Sequence, residues 1–454
     1  DTEAENPQSN QAVTAALKAL ANKFWYTGFV NEAEKDNLTG TVEIAEGLTS
    51  RSALRSGRLG FIAGTGQGDY NSRMEIKNKF SSTIYGIEEK DQEYVDSGVR
   101  QADGTYKFTD DAVISTKDAN VTADKISYNR AVAGIVGNGN DVTVTSGDKT
   151  LRLQQLAGER DYQALGVYAN KKVDITAGLL DINETSSGNN VTGILAQDGG
   201  EVAIHGDVRI RSYHTGDGNS KGINLYNNGA KIIIDGDMDM GGKEGSGEGI
   251  YGVRSKEKGG YGSVKSYQAV GVNIYDRNGA ELVVKGDAYI GVKGTGVDMR
   301  GSANNKVTLA GGKIITPMEG GVYKAASIAA GHFTMGMNEA RNAVNGKAVE
   351  IAGNIYRGDD ADIVIGLGTA ESSWSGVVYD HNSRGEGTGV IKLYLANGGT
   401  WNFDNVSYAD NINYVPVARL VGGSDMEHAG VLFPKQQEDL RITRFEGKLA
   451  IVYP

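Results

Sequence analysis

The chain contains no cysteine. It therefore has no disulfide to staple it, no thiolate to ligate a metal and no thiol chemistry, a composition compatible with an oxidising exterior. Proline is nearly as scarce, with 5 in 454 residues. That excludes a proline-rich linker and a collagen-type helix, which needs abundant proline beside a glycine in every third place. No run of about 20 apolar residues is present to cross a bilayer as a helix, and no signal peptide stands at Asp1. The chain reads as a soluble protein or as the mature exported portion of a longer one. Long basic runs are missing too: 46 basic against 57 acidic residues give a net charge of −11. Nucleic acid, whose recognition starts from concentrated positive charge, is not an expected partner.

What is present is glycine, 65 residues and roughly twice the usual share, set into a recurring pattern. A polar residue precedes alternating apolar positions, then a glycine and often an aspartate: DVTVTSGD at 141–148, EVAIHGDVRI at 201–210, KIIIDGDMDM at 231–240 and ELVVKGDAYI at 281–290. Looser copies are KVDITAG at 172–178, KVTLAGG at 306–312 and AVEIAGNI at 348–355. Period-two alternation puts Val202, Ile204 and Val208 inward and Glu201, His205 and Arg209 outward. By the same parity Ile232, Ile234, Met238, Leu282, Val284 and Ile290 are core residues. Strands this short with one apolar face must stack on neighbours.

A second element precedes most of these strands, as in AVAGIVGN at 131–138, ALGVYANK at 164–171, VTGILAQDGG at 191–200, KGINLYNNGA at 221–230 and AVGVNIYDRNGA at 269–280. Its apolar start gives way to Asn, Asp and Gly, which suit sharp corners. Val142, Val173, Val202 and Ile232 recur at almost even intervals, too regular for unrelated loops. The pattern predicts an all-β fold, a right-handed parallel β-helix, over 131–454. Later intervals, taken through Leu282, Val307 and Val349, are uneven; insertions near 240–263 and 317–346 account for them and are candidate binding loops. A doubly wound sheet would need amphipathic crossover helices, and a propeller longer repeats.

Residues 10–28 carry the best helical pattern, with Val13, Ala16, Leu17, Leu20 and Phe24 on one face. The segment 1–28 is thus expected to cap the first coil, since open sheet edges need cover. Residues 29–130 read as irregular first coils or a small β-region. Trp401 and Phe403 are placed to fill the core near the far end, and KLAIVYP at 448–454 stops straight after a strand, as at a processing boundary.

Catalytic patterns are sparse. Gly423, Ser424 and Asp425 lack the order of a serine-protease motif, and none of His205, His214, His332, His381 and His428 stands in the spacing of a zinc protease. Asp359, Asp360 and Asp362, with Arg357 beside them, are the carboxylates a β-helical polysaccharide lyase or glycoside hydrolase would use; the plainer reading is a solvated corner. Asp235, Asp237 and Asp239 alternate onto one outer face, where a hard cation, or Lys231 and Arg209, would relieve their repulsion. No catalytic, cofactor or metal residue is assigned. Tyr226, Tyr251, Tyr261, Tyr267, Tyr275 and Tyr289 cluster where a protein- or sugar-contacting face would gain from aromatic area with a hydroxyl.

The coils KGINLYNNGAKIIIDGD at 221–237, VGVNIYDRNGAELVVKGD at 270–287 and NRAVAGIVGNGNDVTVTSGD at 129–148, together with the lack of cysteine, resemble the passenger domain of a classical monomeric autotransporter. That resemblance implies export through the periplasm, passage through a C-terminal outer-membrane barrel that this chain does not contain, and display on or release from the cell surface. Family passengers include adhesins and hydrolases. Adhesion to a matrix protein, a glycan or a neighbouring passenger is the expected role, since a long stacked surface adds many weak contacts together.

Overall fold

The computed structural model describes residues 39–43, 73–77, 83–85, 87, 91–117, 130–157, 162–186, 190–214, 219–241, 250–252, 269–292, 294–316, 324–380, 388–403, 415–434 and 440–453. The chain forms two compact units, one of residues 1–83 with 122–129 and one of 84–121 with 130–454. In the first, Thr39–Glu43 pairs in parallel with Arg73–Lys77. The expected helix at 10–28 lies outside the described residues. In the second unit a short helix, Asp91–Asp96, precedes the coils, and its buried Tyr94 meets Tyr106 and Phe108 edge-on at 5.8 and 6.0 Å.

From Arg130 onward the second unit is a parallel β-solenoid with three strand faces per coil. Face A stacks Arg130–Gly137, Tyr162–Ala169, Val191–Gln197, Ser220–Tyr226, Ala269–Asp276 and Gly294–Gly301, each on the one before. Faces B and C are separate strands in some coils and, in others, the two halves of one longer strand that bends at a corner. Lys172–Ser186, for example, pairs through 172–176 on face B and 179–186 on face C, with a register shift between Thr176 and Leu179. Between the faces runs one apolar column. Val142, Val173, Val202, Ile232, Leu282, Val307, Phe333, Ile363 and Ile391 are register partners in turn on face B, and all are buried. Beside it Ile204, Ile234 and Val284 stack on consecutive coils at 1, 0 and 0% exposure.

This register changes one spacing read from the sequence. The residue stacked on Val307 is Phe333, whereas Val349 pairs with Gly312 on face C. The interval from Val307 to Val349 therefore crossed from one face to another. Likewise, within 317–346 the strand Lys324–Met335 belongs to the ladder itself. The excursion that remains folds back onto face B: Met337 and Val344 pack against Val364, Tyr394 and Val421, and Asn338 Oδ1 accepts from the Asn342 and Ala343 amides.

The glycines of the repeat serve two ends. At the B-to-C corner Gly206 has φ +149°, and a Cβ there would run into the Ala177 carbonyl of the coil before. The aspartates that follow tie the coils together: Asp207 Oδ1 accepts the Asp237 amide at 2.9 Å, and Asp237 Oδ1 accepts the Asp287 amide at 2.8 Å. On face A, Gly134, Gly166, Gly193, Gly222, Gly271 and Gly296 form a column against the bulky row of face C. A Cβ on Gly271 would lie 2.5 Å from Ile290 Cγ2 and 2.6 Å from the Gly296 carbonyl. Gly271→Ala is expected to cost about 1–3 kcal/mol as overpacking, read as a lower urea midpoint. An unchanged midpoint would show that the two faces lie farther apart than described.

Candidate binding surface

The outer side of face A carries a grid whose columns follow from register, alternation along each strand being broken at the column of glycines. Thr192, Lys221, Val270, Thr295 and Lys324 form one column; Leu195, Asn224, Asn273, Asp298 and Ser327 a second; Gln197, Tyr226, Tyr275 and Arg300 a third. Tyr226 and Tyr275 stack at 5.7 Å and 24°. They are 38 and 41% exposed, among the few large apolar side chains that the described surface leaves in solvent. Beside them Asn273 Nδ2 donates to Asn224 Oδ1 at 2.6 Å, and Arg300 grips Asp298 through Nε at 3.0 Å and Nη2 at 2.7 Å. The tyrosine cluster expected from the sequence is thus partly assembled. Tyr289 lies on face C, with its hydroxyl pKa raised by burial and by Asp287. Tyr251 is placed by its backbone alone, and Tyr261 and Tyr267 lie outside the described residues.

No family model, curated protein or solved structure matches this chain. The β-solenoid is consistent with many adhesin-like and autotransporter passenger domains, and no likeness of sequence narrows that further. What stands is a stacked outer surface capable of ligand contact. Among the described residues no helix is long and apolar enough to cross a membrane, which says nothing of a strand-built barrel.

The two acidic groups resolve differently from the alternation that drew attention to them. Asp235 lies at the end of a face B strand, bonded to His205 Nδ1 at 2.6 Å and paired with Lys285 at 2.7 Å; these bonds, Lys285 first, hold its carboxyl below the usual range. Asp237 is in the corner ladder. Asp239 lies on face C, 3.1 Å from Arg211 and 3.9 Å from Arg209, whereas Lys231 pairs with Glu281 instead. Each carboxylate thus has its own neighbours because the strand turns at Gly236, and among the described residues no cluster of three metal-ligating side chains is found. Alternating charge along the coils is a general device here: Arg152 meets Asp181 at 2.9 Å and Lys313 meets Glu350 at 2.7 Å on neighbouring strands of face C, the opposite-sign pairing that favours one register over a slipped one.

In the second acidic group Asp359 and Asp360 are exposed. Burial raises the Asp362 pKa, but Arg341 at 2.6 Å, His332 at 3.1 Å and Lys392 at 3.7 Å outweigh it and leave the carboxyl lowered. A general acid needs the opposite shift, so Asp362 is suited to anchoring the Arg341 loop. Arg357 is buried and donates to the Gly389 carbonyl. At the far end Ser424 Oγ donates to Asp425 Oδ2 at 3.1 Å, while His428 Nδ1 bonds Asp425 Oδ1 at 2.7 Å. The carboxylate bridges the other two, so the imidazole is not the group that receives the serine proton, as a relay would require. His214 is buried, and His381 lies outside the described residues.

Asp425 raises the His428 pKa, and hydrogen bonds from His428 bring Asp425 to about 2. The pair's contribution is therefore present between those two values, lost as pH rises through the His428 pKa and lost again as pH falls through about 2. A proton NMR titration is expected to place His428 above the ordinary histidine value, and Asp425→Asn to return it there. An identical midpoint in parent and variant would remove the pair.

Sequence reasoning missed one buried group. Glu184, on the inward parity of Leu180 and Ile182, is 0% exposed, and among the described residues neither carboxyl oxygen has a hydrogen-bond partner. Its register neighbours Gln155 and Ser212 are also buried.

Proposed function

We propose that this chain is the recognition part of an autotransporter-type passenger: an adhesin, displayed on or released from a bacterial surface after export through the periplasm and anchored in the full protein by an outer-membrane barrel. Its partner is a matrix protein, a glycan or a neighbouring passenger. The observation that carries this reading is the exposed Tyr226–Tyr275 stack beside the Asn224–Asn273 amide pair. Tyrosine offers rigid apolar area at low entropic cost, and side-chain amides offer directional hydrogen bonds, the two ingredients of contact surfaces that bind without chemistry. Repetition along the coils lets weak contacts add.

A binding screen against matrix proteins, glycans, intact cells and the protein itself tests it. Binding that leaves the glycans chemically unchanged and falls at least tenfold, about 1.4 kcal/mol, in a Tyr226→Ala, Tyr275→Ala variant supports the reading. Glycan fragments accumulating with time in the absence of any retained partner would replace it with a polysaccharide lyase or glycoside hydrolase.

A further inference from the structure

The charge of the face A grid runs against that of the chain. The whole sequence carries −11, yet Lys221, Arg300 and Lys324 share the grid with one carboxylate, Asp298, and three cations less one anion leave two positive charges. Arg300 already holds both oxygens of Asp298. The uncompensated charge therefore rests on the lysines. Among the described residues Lys221 has no hydrogen-bond or ion-pair partner, although it is half-buried on its strand. Lys324, also half-buried, lies 4.7 Å from the centre of the Tyr356 ring and forms no ion pair with a carboxylate of the described residues. Burial pushes the pKa of both ammonium groups down, against the pull of Asp298. A partly desolvated ammonium that shares a counter-charge already held by an arginine is an unfavourable arrangement that an incoming anion relieves.

We propose that face A between Lys221 and Lys324 binds an anionic polysaccharide, with acidic groups on the two lysines and sugar rings and hydroxyls along Tyr226, Tyr275, Asn224 and Asn273. The proposal rests on the recognition role argued above and names its ligand class. The lysines stand three coils apart, about 14 Å at the usual strand spacing, a span suited to a chain with repeated charges rather than a single small anion. Nucleic acid fits less well, because two free cations on an acidic protein fall short of the concentrated positive charge that backbone binding uses. A polysaccharide also supplies the hydroxyls that the amide pair is built to meet.

The test titrates the full chain at low ionic strength with dextran sulfate, hyaluronan, neutral dextran and an oligothymidylate. Binding to one or both anionic polysaccharides is expected, dextran sulfate reporting sulfate and hyaluronan carboxylate recognition. That binding is expected to weaken at least tenfold in Lys221→Gln, Lys324→Gln, to weaken with added salt, and to be unchanged in the exposed, distant Lys171→Gln. Parent and double variant binding the anionic probes equally, neutral dextran binding as tightly as they do, or lysine-dependent binding of the oligothymidylate in preference would each overturn it. Circular dichroism confirms that the double variant is folded. If tyrosine-dependent binding persists without lysine dependence, the anionic preference fails and the adhesin reading stands. If no probe binds, the anionic class fails, and the matrix and cell screen decides the adhesin reading separately.

Discussion

Trp401→Ala is expected to lower the stability of the C-terminal coils by about 3–5 kcal/mol. Trp401 is fully buried and stacks on Trp374 of the preceding coil at 5.1 Å and 8°, with Phe403 edge-on at 5.4 Å. Its Nε1 donates to the Gly376 carbonyl at 3.1 Å. Alanine leaves a cavity between two coils and strands a buried acceptor. Trp401→Phe keeps most of the ring and loses the donor, so a smaller cost of about 1–3 kcal/mol is expected. In a solenoid each coil leans only on its neighbours. Hydrogen exchange is therefore expected to accelerate around Ser373–Ser375 and Gly430–Phe433 and to stay unchanged at Lys231–Ile234. Uniform acceleration along the unit, or none, would contradict the stacked-tryptophan account.

Glu184→Gln is expected to be more stable than the parent at pH 8, with the gap closing as pH falls. Burial raises the Glu184 carboxyl well above its ordinary value, and among the described residues no hydrogen bond opposes it. The folded chain therefore holds a proton that the unfolded chain releases above about pH 4.3. Below that value both states are protonated and Glu184 brings no pH-dependent penalty. Above it the parent loses up to about 1.4 kcal/mol per pH unit until the folded carboxyl itself ionises. Glutamine has nearly the same shape and no proton to lose. Urea midpoints of both proteins across this range measure the gap, and a gap constant with pH would mean that Glu184 has a partner in solution.

The ladder was legible where two signals agreed. Val142, Val173, Val202 and Ile232 each begin an alternating run after a polar turn, and one coil of nearly constant length returned each of them to the same face. Phe333 was hidden because its strand passes from face A to face B through Ala329–Gly331 without the polar corner that marks other coils. The Asp235, Asp237 and Asp239 triplet misled for a related reason: alternation describes a straight strand, and this one turns at Gly236. Tyr226 and Tyr275 could be nominated as a cluster, but a whole coil and its insertion lie between them, so their pairing rests on register that no local pattern shows. Lys221 gave no signal in the sequence, since what distinguishes it is that among the described residues the stacked strands bring no carboxylate into an ion pair with it, Asp298 being held by Arg300.

The account depends on coils stacked so that residues far apart in sequence become immediate neighbours on face A. A Tyr226→Cys, Tyr275→Cys variant reads this directly in a chain with no other cysteine. Register partners in a sheet stand about 4.8 Å apart, within the Cα range of a disulfide, so mild oxidation is expected to link the pair within one molecule. A Tyr226→Cys, Arg209→Cys control, on different faces, is expected to stay reduced. Failure of the first pair to close, or equal closure of the second, would contradict the stacked solenoid and the binding surface built on it.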